Sequence, residues 1–281
     1  METSGRDHQT ALRLNTDILK DLLVRFIHDE TTNAGFRKVV IGISGGIDSA
    51  VSATLAAEAL GKNNVLGVLM PYKTSSSQSI EDASILVKQL GIKSETIDIS
   101  PMTDAYCNEG KVNERVRRGN IMARMRMAIL YDISARERAL VIGTSNKTEL
   151  LVGYGTLHGD MASAINPIGD LYKTQVSQLA DALGVPKQII QKKPTADLWV
   201  GQTDEDELGF SYKQLDELLF LMVDERRSDE ELQHIGFERS FIRKVREMIR
   251  KSQFKRSLPV IAKVSYRTLN VDFRYVRDWG I

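Results

Sequence analysis

Cysteine is nearly absent: of 281 residues, only Cys107 carries a thiol. That excludes an intrachain disulfide framework and any metal centre built on several cysteines. It fits a reducing compartment, and a cytoplasmic protein is the expectation. Long apolar runs are also missing, the longest being far too short to cross a bilayer. No membrane partner is expected. Met1 to Gln9 is polar and mixed in charge, without the apolar centre of a secretory leader. Neither sign of charge dominates. The 38 basic and 37 acidic side chains leave a formal net charge of +1. A balance this even gives no broad field for nucleic acid, and none is expected as a partner. His8, His28, His158 and His234 show no metal-ligand spacing, and no internal repeat is evident.

What is present is an ordinary globular balance, 42% apolar and 27% charged, in a chain long enough for a large core. Apolar residues at Ile18, Leu19, Leu22, Leu23, Phe26 and Ile27 predict an amphipathic helix within Ala11–Asn33. Short β-branched or apolar runs at Lys38–Ile43, Val65–Met70, Glu95–Ile99 and Ala139–Ile142 predict four buried strands. Helical patterns at Ala50–Leu60, Ile80–Leu90 and Glu114–Arg136 lie between them. Gly61 and Gly91 are placed to stop the first two. This alternation predicts an α/β fold with a doubly wound parallel sheet. Ligands bind beyond the carboxyl ends of such strands, which points to the turns after Ile43 and Ile142. Further helices are predicted at Thr174–Leu183, Tyr212–Val223, Asp229–His234 and Arg239–Lys251, with Gln191–Leu208 irregular and acidic.

The turn Ser44-Gly45-Gly46-Ile47-Asp48-Ser49 joins the first strand to a helix. Adjacent glycines let backbone N–H groups face one anion, and the following helix adds its positive end. An ordinary strand–helix turn uses the same residues. Asp48 is at odds with a bare anion site unless a divalent cation stands between, which makes it a candidate magnesium ligand. The lysine of the Walker loop and the spacing of the Rossmann fingerprint are both missing. Arg117, Arg118, Arg124 and Arg126 fall within ten residues, interleaved with methionines. They could grip phosphate or carboxylate, or line a solvated helix face. After the fourth strand, Thr144 to Glu149 reads as a helix N-cap, with Thr144 or Ser145 capping. Glu149 could share a metal with Asp48, because both loops lie on one sheet edge. Lys173 opens a helix near these loops.

The hexapeptide resembles the pyrophosphate-binding loop of the N-type ATP pyrophosphatases, whose fold is adenine-nucleotide α-hydrolase-like. The later segments narrow that resemblance. Gly159-Asp160, Pro167-Ile168-Gly169, Lys173-Thr174 and Pro194-Thr195-Ala196-Asp197-Leu198 follow in the order seen in NAD synthetases. The resemblance spans roughly Val39 to Pro259. It implies ATP-driven amidation of deamido-NAD by ammonia through an adenylylated intermediate. It implies ATP contacts at Gly42, Ile43, Ser44, Gly45, Gly46, Ile47, Asp48, Ser49, Thr144, Lys173 and Thr195. It implies magnesium on Asp48 and Glu149, with Lys173 beside the leaving pyrophosphate. The spacing Asn120, Ala123, Arg124, Arg126 is similar to the helix of NAD synthetases that holds the dinucleotide substrate, with Arg124 the leading candidate, and substrate contacts are implied at Asn120, Arg124, Leu157, Asp160, Phe254 and Lys255. Two positions depart from the pattern: Phe254 stands where relatives have histidine, and Leu157 where many have lysine. The first strand begins near Lys38, so no preceding glutaminase domain is expected, and free ammonia is the implied nitrogen source. A homodimer is implied as well. The chain is read as one domain over 1–281, with a helix in 1–37, an α/β ATP-binding core in 38–190 and a helical C-terminal extension with a lid in 191–281. The rival readings are another amide-forming or thiolating member of the superfamily, and a non-catalytic nucleotide sensor.

Overall fold

The computed structural model describes residues 12–199, 201–257, 259–266 and 268. Four parallel strands form one sheet: β1 (Lys38–Gly42), β2 (Val65–Leu69), β3 (Lys93–Thr96) and β4 (Ala139–Ile142), in the order β3-β2-β1-β4. Val39, Val40 and Ile41 of β1 are fully buried, since helices cover both faces. Each buried aliphatic contributes about 1.5–3 kcal/mol relative to exposure. One face packs on α1 (Thr16–Asn33), α2 (Ile47–Leu60) and α3 (Ser77–Leu90), with Ile27, Leu55 and Leu86 at its centre. The other packs on α4 (Ser100–Glu109) and α5 (Arg115–Glu137) through Met70, Ile99, Met122 and Ile133.

From β1 the chain builds outward to β2 and β3, then crosses back to add β4 on the far side of β1. The carboxyl ends of β1 and β4 therefore form the switch point of the sheet. Beyond it come α6 (Lys147–Val152), α7 (Lys173–Ala182) and the short α8 (Lys187–Ile190) and α9 (Asp204–Leu208). They are followed by α10 (Tyr212–Leu219), α11 (Asp229–Ile235) and α12 (Arg239–Ser252). These last helices have their own core around Leu215, Leu218, Leu221, Leu232 and Val245. This is the expected doubly wound fold with its helical C-terminal part.

Several expectations need correction. The third strand lies at Lys93–Thr96 rather than Glu95–Ile99. Ile97 and Ile99 leave the ladder to donate to the carbonyls of Leu69 and Pro71, and Ser100 opens a helix that the sequence reading overlooked. The first helix begins at Thr16, capped by the Asn15 side chain; Ala11 lies outside the described residues. The acidic stretch before Leu208 contains α9, capped by Thr203. Residues Phe220–Asp224 widen into a π-turn rather than continuing α10 as an α-helix.

Candidate active site

The turn after β1 is held from inside and from behind. The Ser49 hydroxyl donates to the Gly46 carbonyl at 2.9 Å and accepts from the Ser44 N–H at 3.2 Å. The Ser44 hydroxyl accepts from the Gly46 N–H at 3.2 Å. Gly45 has φ +76°, and a Cβ there would stand 2.1 Å from the Ser79 carbonyl oxygen. Only glycine fits, because both the left-handed backbone and the close approach forbid a side chain. A strut stands behind it. The Lys192 ammonium donates to Ser79 Oγ at 2.9 Å, to the buried Asp82 at 3.0 Å and to the Gly45 carbonyl at 3.4 Å. Gln78 and Gln188 complete the shell of Asp82.

The turn after β4 mirrors this arrangement. Asn146 caps α6 and forms a capping box with Glu149, so neither Thr144 nor Ser145 is the cap. The spare Asn146 amide donates to Asp48 Oδ1 at 2.9 Å and joins the two turns. Lys173, the first residue of α7, sends its ammonium between the carboxylates. It bonds Asp48 Oδ2 and lies 3.5 Å from Glu149 Oε1. All three side chains are largely buried. Burial works against the charged lysine, but Asp48 and then Glu149 outweigh it and raise its pKa. Glu149 is pushed up, first by burial and then by the Asp48 charge, with Lys173 opposing.

Lys173 is aimed by groups behind it. Asp216, fully buried on α10, accepts from the Thr148 hydroxyl at 2.6 Å and the Thr174 N–H at 2.8 Å. The Thr148 hydroxyl in turn accepts from the Lys173 N–H at 3.0 Å. The Tyr212 ring lies under the ammonium, 5.3 Å from its centroid to the nitrogen. Nothing in the sequence pattern singled out Asp216 or Tyr212. Their signal is three-dimensional: a carboxylate on the apolar face of a helix must be spending its oxygens on something.

These turns open on a chamber of about 510 Å³, roomy enough for a nucleotide. Gly42, Ile43, Ser44, Gly46, Ile47, Asp48 and Ser49 form one end, with Thr144, Glu149 and Lys173 beside them. Thr195 lines it from the 194–199 strap. That strap is tied down where Asp197 accepts from the Ser76 N–H at 3.0 Å and where the Leu198 N–H donates to Gln202 at 2.8 Å. Asn120, Asp160 and Lys255 line it as well. Asp160 is open to the chamber but walled in by protein elsewhere. That confinement raises its carboxyl pKa, against the pull of the Thr156 N–H at 2.8 Å and the Lys255 charge. Lys255 donates to the carbonyls of Gly153 and Gly155, each at 2.8 Å.

Four of the implied residues are not in the wall. Gly45 sits behind the turn against Ser79. Arg124 is exposed and donates to the Leu157 carbonyl at 3.2 Å, so Arg124 and Leu157 form an outer rim together. Phe254 is 61% exposed. Conversely, Lys192 lines the chamber although it was not an implied contact, and Arg126, which shares the substrate-helix spacing with Arg124, lines it where Arg124 does not.

Two carboxylates against one ammonium leave net negative charge where the turns meet. Among the described residues no set of three His, Cys, Asp or Glu side chains comes together as a metal site. Magnesium is commonly held by one or two carboxylates together with water and substrate phosphates. Asp48 and Glu149 fit that donor set.

The chain is similar to known proteins along most of its length. The family model described as NAD synthase matches residues 19–259. The chain is 55% identical over 269 residues to the NH(3)-dependent NAD(+) synthetase of Trichlorobacter lovleyi, covering 96% of this chain and 98% of that one. It is 47% identical over 253 residues to the NH(3)-dependent NAD(+) synthetase of Fusobacterium nucleatum, covering 90% and 98%. Among solved structures, NH3-dependent NAD synthetase from Campylobacter jejuni in complex with the nitrate ion superposes with a TM-score of 0.77 at 36% identity, covering 89% and 100%. NMN synthetase from Francisella tularensis superposes with a TM-score of 0.80 at 33% identity, covering 89% and 100%. With the family model reaching from α1 to the segment after α12, and relatives above 45% identity along nearly their whole length, the chain belongs to the NAD synthase family.

Proposed function

We propose that this protein amidates the nicotinate carboxylate of deamido-NAD with ammonia, consuming ATP and releasing NAD, AMP and pyrophosphate. The observation that carries the reading is the Lys173 ammonium, clamped by Asp48 and Glu149 beside the glycine turn at the sheet's switch point. A leaving pyrophosphate needs positive charge and N–H donors in place before it departs. The turn supplies the donors and Lys173 the charge.

A carboxylate oxygen of the substrate attacks the α-phosphorus, and the bond to pyrophosphate breaks. Ammonia then attacks the acyl carbon, AMP leaves, and the nitrogen gives up a proton to form the amide. No protein nucleophile enters either step, so the rate enhancement comes from positioning and charge stabilisation. Magnesium on Asp48 and Glu149 would neutralise phosphate charge as the pyrophosphate departs. Thr144 and Thr195 offer hydroxyls to the nucleotide from the chamber wall. Asn120, Asp160 and Lys255 face the dinucleotide from the chamber wall. Arg124, Leu157 and Phe254 lie outside, where the far half of a dinucleotide would emerge. A homodimer would cover that rim, and we assign those three residues to it. Residues 38–190 serve as the ATP-binding core and 191–281 as the lid-bearing part, of which 200, 258, 267 and 269–281 lie outside the described residues. Cys107 is free and buried, which fits work in the reducing cytoplasm. No helix among the described residues is long and apolar enough to cross a membrane.

The test is a product assay on the purified full chain with ATP, magnesium and deamido-NAD, supplied with an ammonium salt or with glutamine. NAD and AMP in equal amounts from ammonium alone are expected. A parallel tube holds nicotinate mononucleotide, because one structural neighbour is a synthetase of NMN. Faster amidation there would replace the dinucleotide as substrate, and ATP binding without any amide product would favour a nucleotide sensor.

A further inference from the structure

Asp104 lies on α4, outside the chamber wall, yet three donors from two other elements converge on it. The Tyr72 hydroxyl donates to Oδ1 at 2.6 Å, the Arg118 guanidinium to the same oxygen at 2.9 Å, and the Lys73 ammonium to Oδ2. These donors, Lys73 first, hold the carboxyl below its ordinary range and so keep it charged. Tyr72 and Lys73 belong to the turn after β2, and Arg118 to the first turn of α5. The buried Tyr72 ring also has both cations over it, Lys73 at 5.5 Å and Arg118 at 6.0 Å from its centroid. None of the three donors lines the chamber.

The same two elements are the seats of the 194–199 strap. From the turn, the Ser76 N–H donates to Asp197 at 3.0 Å, and the Thr74 hydroxyl to the Leu198 carbonyl at 3.4 Å. That turn is closed on itself, by the Ser75 N–H on the Tyr72 carbonyl at 2.7 Å and the Tyr72 N–H on the Ser75 hydroxyl at 3.1 Å. An anchor on Tyr72 therefore sets the direction of the Ser76 N–H. From α5, Gly119 leaves a notch for Leu198, since a Cβ there would stand 2.9 Å from Leu198 Cδ1. Asp197, between these seats, has φ +50°, a left-handed backbone that persists where its surroundings over-determine it. In that conformation the Asp197 N–H donates to the Thr195 hydroxyl at 3.1 Å. Thr195 lines the chamber, and its own hydroxyl proton is left for a nucleotide acceptor. One chain of contacts thus runs from Asp104 through Tyr72, the turn and Asp197 to Thr195.

We propose that Asp104 is a positioning residue for ATP: its carboxylate fixes the turn after β2 against the start of α5, and so sets the strap that presents Thr195 to the nucleotide. The proposal deepens the amidation reading above and rests on it for the identity of the nucleotide. Asp104 touches no reactant and acts only through the strap. Its loss leaves Lys173, Asp48 and Glu149 as they are, so binding of ATP suffers and the chemical step does not.

The experiment uses full-length wild type, Asp104→Ala, Asp197→Ala and the double variant. Calorimetry gives the Kd for ATP with magnesium, and steady-state assays give KM and kcat. Asp104→Ala is expected to raise Kd and KM for ATP about tenfold, the scale of a slightly misplaced contact, with kcat kept within about threefold. Asp197→Ala should do the same. Because both act along one path, the double variant should bind ATP no more than about twofold worse than the weaker single variant. Penalties that multiply to about 100-fold mean independent roles and overturn the proposal. An ATP affinity in Asp104→Ala within about twofold of wild type overturns it too, even with a lowered melting temperature, because a purely structural anchor gives that result. Asp104→Asn keeps an oxygen for Tyr72 but loses the charge facing Lys73 and Arg118, and should fall between wild type and Asp104→Ala. Should Asp104→Ala fail to fold, Asp104→Asn and its double with Asp197→Ala decide by the same criteria. A wild type that binds ATP and makes no NAD would strike the amidation reading alone, because the affinity cycle needs no turnover.

Discussion

Asp48 and Asp216 both act on Lys173, one from the edge of the sheet and the other from the helical block behind it. Asp48 keeps 17% of its side chain exposed and opens on the chamber. It shares its oxygens with Lys173 and Asn146, groups that can rearrange when phosphate arrives. Asp216 is fully buried and spends both oxygens on Thr148 and the first turn of α7. The sheet edge therefore carries groups held ready for ligand, and the helical block carries groups committed to geometry. Substitutions in the first region should cost rate at little cost in stability, and substitutions in the second should do the reverse.

The largest expected effect is at Asp48. Asp48→Asn keeps the shape and the bond to Asn146 but removes the charge facing Lys173. Turnover should fall by about 10³-fold or more, on the scale of losing a preorganised electrostatic contact. The melting temperature should fall only modestly, since Glu149 stays 3.5 Å from the buried Lys173 ammonium and still balances its charge. Full activity in this variant would sink the metal assignment as well as the comparison. Asp216→Leu is the converse. It strands the Thr148 hydroxyl and the Thr174 N–H in a dry interior, at a cost of about 3 kcal/mol. In a chain of this size that is a fall of about 5 °C in melting temperature. Turnover should drop much less than in Asp48→Asn. A variant with normal melting and no turnover would show that Asp216 belongs to the chemistry.

Gly45→Ala probes the edge from behind. The added Cβ meets the Ser79 carbonyl at 2.1 Å in a left-handed backbone, so the turn must move. We expect the KM for ATP to rise about tenfold and stability to fall by about 1–3 kcal/mol. An unchanged KM would mean that the turn does not read the nucleotide. The strut beside it has a pH signature. Burial pushes the Asp82 carboxyl up, but hydrogen bonds from Gln78, Gln188 and Lys192 more than reverse this and hold it below the ordinary range. A folded pKa below the unfolded one means that this stability is present above about pH 4 and is lost as pH falls further. Asp82→Asn should flatten the acid limb of the unfolding curve between about pH 4 and 2. An acid limb identical to wild type would remove Asp82 from the strut.

The legible part of the molecule was the part governed by local rules. The strand at Ala139–Ile142 and the start of β1 at Lys38 were where apolar runs place them. The Gly-Gly turn and the coming together of Asp48 and Glu149 followed from parallel topology alone. Illegible features depended on partners distant in sequence. Ser100 opens α4 because Ile97 and Ile99 leave the sheet, which no window of sequence reveals. Asp216 looked like any acid on an amphipathic helix. The split between Arg124 and Arg126 was readable in principle, because Val116, Asn120, Ala123 and Leu130 mark the inward face by period alone. The family pattern drew attention to Arg124 instead, which the structure leaves on the rim.

The smallest effect tests the rim itself. Phe254 follows α12 in a short 3₁₀ turn, 61% exposed, while its neighbours Lys255 and Arg256 are tied to backbone carbonyls. Its ring buries little, so its removal costs little in stability. Phe254→His restores the residue usual in the family pattern and adds a hydrogen-bonding edge at a place where a dinucleotide would leave the chamber. We expect the same product, an unchanged melting temperature and a KM for deamido-NAD altered by less than about threefold, the scale of a solvated contact. Steady-state assays with deamido-NAD varied would check this. A larger gain would move the rim from passive boundary to working lid, and it would mean that ligand-ready groups extend from the sheet edge onto the end of the helical block.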